Sequence, residues 1–191
     1  MNKHFQSKTS GEKSLSAEQV HKLLDLTDTA RDYALLLLAV DLGARRADLV
    51  SIEIPNINFE TGAINYYENK KRKWITRFVS PKTITALKRY LATRKDAKRW
   101  LFPSEQTNTK NKHINSKTAY NIFDKALKRI GLDKRGIHTL RATCCKLKQT
   151  AGWTIQETAF HIDDKIDTVR KHYTTPSYSE LEELAKSKPS I

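Results

Sequence analysis

Residues 35–50 read LLLLAVDLGARRADLV, and the fold depends on how this stretch divides. The longer segment ARDYALLLLAVDLG, residues 30–43, is apolar nearly all round its helical projection. Such a helix has no broad polar face to give to water, so it is expected at the centre of a globular core. Gly43 interrupts it, and ARRADLVSI, residues 44–52, restarts helical spacing. Arg45 therefore follows directly on a helix break. Taken alone, it reads as a solvated surface charge. The strongest apolar run, Ala34 to Val40, is far too short to span a bilayer.

Working outward, the N-terminal residues 1–13, MNKHFQSKTSGEK, form a polar lead-in, expected to be flexible, with no apolar signal core. The folded part begins at Ser14. Ser16 is suited to cap AEQVHKLLDL, and Val20, Leu23 and Leu24 give that helix one apolar face. Between Ile52 and Ser80 the period changes to alternation around a Thr-Gly turn and a basic knot. This predicts a small antiparallel sheet whose last turn is Lys70 to Lys73. Helical spacing returns in residues 81–94, 117–131 and 136–152. Thr154 then caps TIQETAFHI, and a polar loop, DDKI, leads to DTVRKHYTT. Residues 177–188, SYSELEELAKSK, read as a short amphipathic tail helix. The fold class is mainly α with a small antiparallel β-sheet (α+β), with residues 14–191 as one domain.

The chain has 191 residues, and its 35 Lys and Arg against 21 Asp and Glu give a formal charge of +14. That balance argues for a polyanionic partner, because each phosphate contact releases condensed counterions. The two cysteines, Cys144 and Cys145, are adjacent and frame no disulfide scaffold. They read as buried small hydrophobes in a reducing, cytoplasmic compartment. The six histidines supply no regular metal-ligand spacing.

Two further stretches carry reactive side chains. In HTLR, the i, i+3 spacing places His138 and Arg141 on one helix face. Two cationic donors side by side repel unless an anion lies between them. In VRKHYTTP, Tyr173 sits among Arg170, Lys171 and His172. Each feature alone has an ordinary structural explanation: a surface arginine, a capping histidine, a packed tyrosine.

Their order and spacing together resemble the tyrosine recombinase, or phage integrase, family over about residues 14 to 178. LLLLAVDLGARRADLV is similar to that family's first box, with the catalytic arginine two residues after a glycine. LFPSE resembles the loop before the helix leading to the second box, and GIHTLRATCCKLKQTAG the second box itself, His-x-x-Arg. DTVRKHYTTPS resembles the segment bearing the nucleophile. The resemblance implies a DNA strand-exchange enzyme acting through a 3′-phosphotyrosine, without metal, ATP or other cofactor. Tyr173 would be the nucleophile, with Tyr178 as its rival. Arg45 and Arg141 would clamp the scissile phosphate, since each guanidinium fork can bind two oxygens and stays charged. His138 would bond the same phosphate or manage the tyrosine proton.

The resemblance also implies a hairpin lysine that protonates the 5′ leaving oxygen. Lys70 is preferred, with Lys73 next, although counting back from Val79 lands on Arg72. A further histidine or tryptophan is expected nine or ten residues before the tyrosine. That register gives Asp164 or Asp163, while His161 lies twelve residues before it. His161 is preferred, because an aspartate would repel the phosphate. Lys71, Arg72, Lys73, Lys117 and Arg135 are expected to contact DNA phosphates, and Asn111, Asn115 and Lys117 to reach base edges. The expected partner is double-stranded DNA, with self-association on it and no membrane. Two other readings stay open: a non-cleaving DNA-binding module of the same fold, and a type IB topoisomerase-like enzyme. The chain reads as an excised domain or a minimal enzyme.

Overall fold

The structure, a computed structural model, describes residues 13–105, 112–173, 182 and 185–187. Most of the expected tail helix, Tyr178 and Asn111 therefore lie outside the described residues. Helix α1 spans Ala17–Asp25, α2 Ala30–Leu42 and α3 Arg46–Val50. Strands β1, Ala63–Glu68, and β2, Lys73–Phe78, form the antiparallel sheet. Then come α4 (Pro81–Ala92), α5 (Ser116–Arg129), α6 (His138–Thr150), α7 (Ile155–Ile162) and α8 (Ile166–His172).

Local chemistry sets most of the helix starts. The Ser16 hydroxyl accepts from the Gln19 N–H, and the Gln19 side chain accepts from the Ser16 N–H, closing a capping box on α1. Thr154 and Glu157 do the same for α7. Thr29, Ser80 and Asn115 cap α2, α4 and α5. As its composition predicts, α2 is the central helix: Ala34 to Val40 and Leu42 are all buried. It packs against α1, α4, α5 and α6. A second, smaller apolar cluster joins α6, α7 and α8 through Ala142, Cys144, Cys145, Ala159, Ile162, Val169 and Tyr173. Both cysteines are free and buried, and burial pushes the Cys145 thiol up to about 12.

The sheet is smaller than the alternation suggests. Among the described residues the segment before the Thr-Gly turn pairs with β1 only through an isolated bridge, Ile57 to Ile64. Residues Ile54–Asn56 form one 3₁₀ turn instead. Pro55 has no N–H for a ladder, and the Asn58 side chain takes the Glu60 and Thr61 N–H groups into a turn. The hairpin turn is also displaced by one residue. Lys73 pairs with Glu68 as the first residue of β2, so the turn is Asn69 to Arg72, with Arg72 at φ 53°.

Gly43 ends α2 in the left-handed region, at φ 62°. A Cβ there would lie 2.9 Å from both Cys144 Sγ and Ile162 Cγ2, so the α2 terminus meets α6 and α7 at backbone distance. Gly131, at φ 70°, has open space around it. We expect Gly43→Ala to cost about 2–4 kcal/mol, conformational strain plus overpacking. Gly131→Ala should cost only about 1–2 kcal/mol, the strain alone. Chemical denaturation of the two variants separates these effects. Equal losses would show that the α2–α6–α7 contact has room to give.

Candidate active site

Each reactive side chain sits at the end of an element. Arg45 occupies the N-cap position of α3, just past the Gly43 break. His138 opens α6, and Arg141 follows one turn later. Tyr173 is the C-cap residue of α8, its N–H bonded to the Val169 carbonyl. Packing of these ends against one another brings the four residues together.

Arg141 is only 2% exposed. Its Nη1 donates to the Gly43 carbonyl at 2.7 Å, and its Nη2 to the Ile162 carbonyl at 2.9 Å and Asp164 Oδ2 at 3.0 Å. Arg45 pairs with Glu68 through Nη1, and its Nη2 lies 3.8 Å from the same Asp164 oxygen. Two guanidinium groups thus converge on a single anionic oxygen. The Arg141 guanidinium carbon is 5.9 Å from the centroid of the Tyr173 ring. The Tyr173 hydroxyl lies 2.9 Å from His138 Nε2. Burial, reinforced by the charges of Arg141, Arg45 and Lys70, holds the His138 imidazole below its ordinary pKa. Burial raises the Tyr173 phenol, with Arg141 opposing it.

The sequence-predicted residues divide clearly. Arg45, His138, Arg141 and Tyr173 form one connected cluster. His161 does not join it through any contact it makes among the described residues. Its Nε2 lies 3.0 Å from the Asp41 carbonyl and its ring packs edge-on to Trp153. Asp164, nine residues before Tyr173, stands between the arginines instead. The repulsion that argues against an aspartate there is answered by the two guanidinium groups. Lys70 is exposed and forms no ion pair or hydrogen bond among the described residues, while its charge reaches His138. Lys71 and Lys73 are both on Asp163 Oδ2, at 2.9 and 3.0 Å. Arg72 and Lys117 are exposed. Arg135 donates to the Lys13 carbonyl at 2.7 Å, so one of its donors is spent inside the protein. The Asn115 side-chain oxygen caps α5 through the Thr118 N–H at 2.8 Å and is not free to read a base edge.

Several carboxylates were not legible as site residues. Glu68 is 2% exposed and lies on the inward register of β1 with Ile64 and Tyr66. An acid on an apolar register is the signal that marks it. Asp48, 1% exposed and three residues after Arg45, accepts from Asn69 N at 3.1 Å and Asn69 Nδ2 at 2.7 Å, fixing one limb of the hairpin turn. Among the described residues no group of three or more His, Cys, Asp or Glu could hold a metal ion. No helix among them is long and apolar enough to cross a membrane.

The chain belongs to the phage integrase family, whose pattern it matches over residues 13–180. It is 32% identical over 121 residues to the tyrosine recombinase XerA of Pyrococcus horikoshii, covering 63% of this chain and 42% of that protein. It is 30% identical over 189 residues to the tyrosine recombinase XerC of Caldanaerobacter subterraneus, covering 92% of this chain and 50% of the relative. The chain therefore spans about half the length of the curated relatives it matches. Among solved structures, a XerA recombinase superposes with a TM-score of 0.79 at 20% identity, over 93% of this chain and 64% of that one. A XerH site-specific recombinase in a post-cleavage complex with its difH substrate gives 0.74 at 19% identity, over 97% of this chain and 54% of that one. At these identities the superpositions establish the fold: a mostly helical domain with a small antiparallel sheet.

Burial pushes the His161 imidazole down to about 4. In the unfolded chain it titrates near ~6.5. Between those values the unfolded chain holds a proton that the folded chain refuses. The stability is therefore complete above ~6.5 and falls as the pH drops toward about 4. From about pH 7 to about pH 5 this group alone should cost about 2 kcal/mol. Thermal melts of wild type and His161→Gln across that range test it, with the variant expected to show the flatter acid limb. Equal slopes would remove His161 as the cause.

Proposed function

We propose that this chain is the catalytic part of a site-specific DNA recombinase that cleaves and rejoins DNA through a phosphotyrosine at Tyr173. The observation that carries this reading is the convergence of Arg45 and Arg141 on one anionic oxygen, with the Tyr173 ring beside Arg141 and its hydroxyl bonded to His138. Asp164 marks the place where a phosphate oxygen would be received. A free phenol titrates near ~10 and is a poor nucleophile at neutral pH. His138, held neutral by its depressed pKa, can accept the phenolic proton at Nε2 as Tyr173 attacks phosphorus. The P–O5′ bond then breaks, and the leaving oxygen takes a proton from Lys70. The DNA keeps its phosphate on the tyrosine as a 3′ ester. Attack by a 5′ hydroxyl on that ester reverses the step and rejoins a strand. The arginines stabilise charge on the non-bridging oxygens, where loss of one donor costs ~10²–10³ in rate. All of these groups belong to the chain itself, so the steps call on no cofactor.

Double-stranded DNA as partner, assembly of several copies on it, and a cytoplasmic or nucleoid setting belong to the same proposal. The +14 charge supports the polyanion. The XerH complex with difH and a λ integrase dimer on its core site are like-folded proteins seen on DNA.

One observation favours the second reading, a non-cleaving DNA-binding module. The two arginines are already matched by Glu68 and Asp164, so the clamp is close to neutral before DNA arrives. A randomised pool of nicked suicide duplexes, incubated with the chain and resolved under denaturing conditions, separates the two readings. A covalent adduct that disappears in Tyr173→Phe is expected. Intact binding with no adduct from any duplex would overturn cleavage and leave the module. An adduct that survives Tyr173→Phe and vanishes in Tyr178→Phe would move the nucleophile. On captured duplexes, Asp164→Asn should bind DNA more tightly and form adduct about 10-fold faster, because a net positive clamp replaces a neutral one. Slower adduct formation would instead show that Asp164 chiefly holds Arg141 in place.

A further inference from the structure

The hairpin offers three lysines and an arginine within four residues, and only one of them can stand at the leaving oxygen. We propose that Asp163 is a positioning residue that makes this selection: it clasps Lys71 and Lys73 to the α7–α8 turn and leaves Lys70 as the lysine presented to the reacting phosphate. This inference rests on the reading of Lys70 as the proton donor.

The geometry is that of a turn held on both limbs. On the β1 side, Asp48 takes the backbone and side-chain N–H groups of Asn69. On the β2 side, Asp163 Oδ2 receives Lys71 Nζ at 2.9 Å and Lys73 Nζ at 3.0 Å. The Asp163 backbone carbonyl also accepts from Lys71 Nζ, and Arg77 Nη2 lies 3.6 Å from Oδ1. Only Lys70 and Arg72 lie between these anchors without an ion pair among the described residues. A guanidinium is a much weaker acid than an ammonium, so a lysine is the better proton donor to a departing alkoxide.

The backbone of Asp163 is specialised as well. It ends α7 in the left-handed region, at φ 53°. There it turns its carboxylate toward the hairpin, while its neighbour Asp164 reaches the arginines. Asp and Asn are the non-glycine residues most tolerant of this conformation. Exposed ion pairs are individually weak, but several cations sharing one carboxylate act as a network. A clasp of this kind limits where the turn can sit, and placing an acid correctly is worth a large factor in rate.

The test uses two versions of a suicide duplex captured by the wild-type chain. One has the ordinary bridging 5′ oxygen at the scissile phosphate. The other has sulfur there, which departs as a thiolate and needs no proton. Asp163→Asn is expected to slow cleavage of the oxygen ester by ~10–100-fold while cleaving the sulfur ester at close to the wild-type rate. Asp163→Glu should restore part of the loss. The double variant Lys71→Gln/Lys73→Gln keeps Asp163 and should show the same oxygen-selective defect, so the proposal is testable even where Asp163→Asn folds poorly. Equal slowing on both esters, or no slowing on either, would overturn it. Lys70→Ala tests the underlying reading separately. A defect on oxygen that sulfur relieves supports Lys70 as the donor. Sulfur relief seen in Lys71→Ala or Lys73→Ala, and not in Lys70→Ala, would overturn both that reading and the selection by Asp163.

Discussion

The buried guanidinium of Arg141 is the constraint on which the rest of this structure depends. A cation at 2% exposure must be paired and hydrogen-bonded, or it costs several kcal/mol. Arg141 meets that demand with the Gly43 carbonyl at the end of α2, the Ile162 carbonyl at the end of α7, and Asp164 before α8. Three element ends are therefore gathered around one side chain on α6. The gathering also builds the site, because Arg45 follows Gly43 and Tyr173 closes α8. Stability and the proposed chemistry draw on the same residue.

Charge pairing extends outward from there in two branches. Asp164 and Glu68 match the arginines, while Asp163 matches the hairpin cations. The adjacent aspartates act in opposite directions because α7 ends in a left-handed residue. One carboxylate stands where an anionic substrate would be received, and the other holds the element that carries the proposed acid. A strongly basic chain thus presents a locally compensated centre. On the proposed function, DNA binding to such a site would exchange carboxylate contacts for phosphate contacts as well as release counterions.

The elements were legible in the sequence for distinct local reasons, and the four central residues through the resemblance to the phage integrase family. The apolar α2 segment has no polar face, so its burial follows from composition. Ser16 and Thr154 form capping boxes with residues three positions on, a purely local pattern. His138 and Arg141 share a helix face by spacing. The sheet was over-read because Pro55 and the Asn58 turn oppose an alternation that is present in the residues. His161 was preferred over Asp164 by an argument about repulsion from phosphate, and that argument lacked the course of the chain after Ile162, which brings Asp164 within reach of both arginines.

Resemblance to the phage integrase family picked out Arg45, His138, Arg141 and Tyr173 as a set, and the sequence by itself determined the helices and the central core helix. These follow from periodicity, capping and side-chain type, which act over a few residues. The tertiary structure alone decided that Asp164 bridges the arginines, that Glu68 turns inward to Arg45, that His161 faces Asp41, and that Asp163 gathers two of the three hairpin lysines. Such pairings join residues as far apart as the 120 positions between Asp41 and His161. Helical period says which face a side chain occupies, but only the packing of element ends says which charge it meets there.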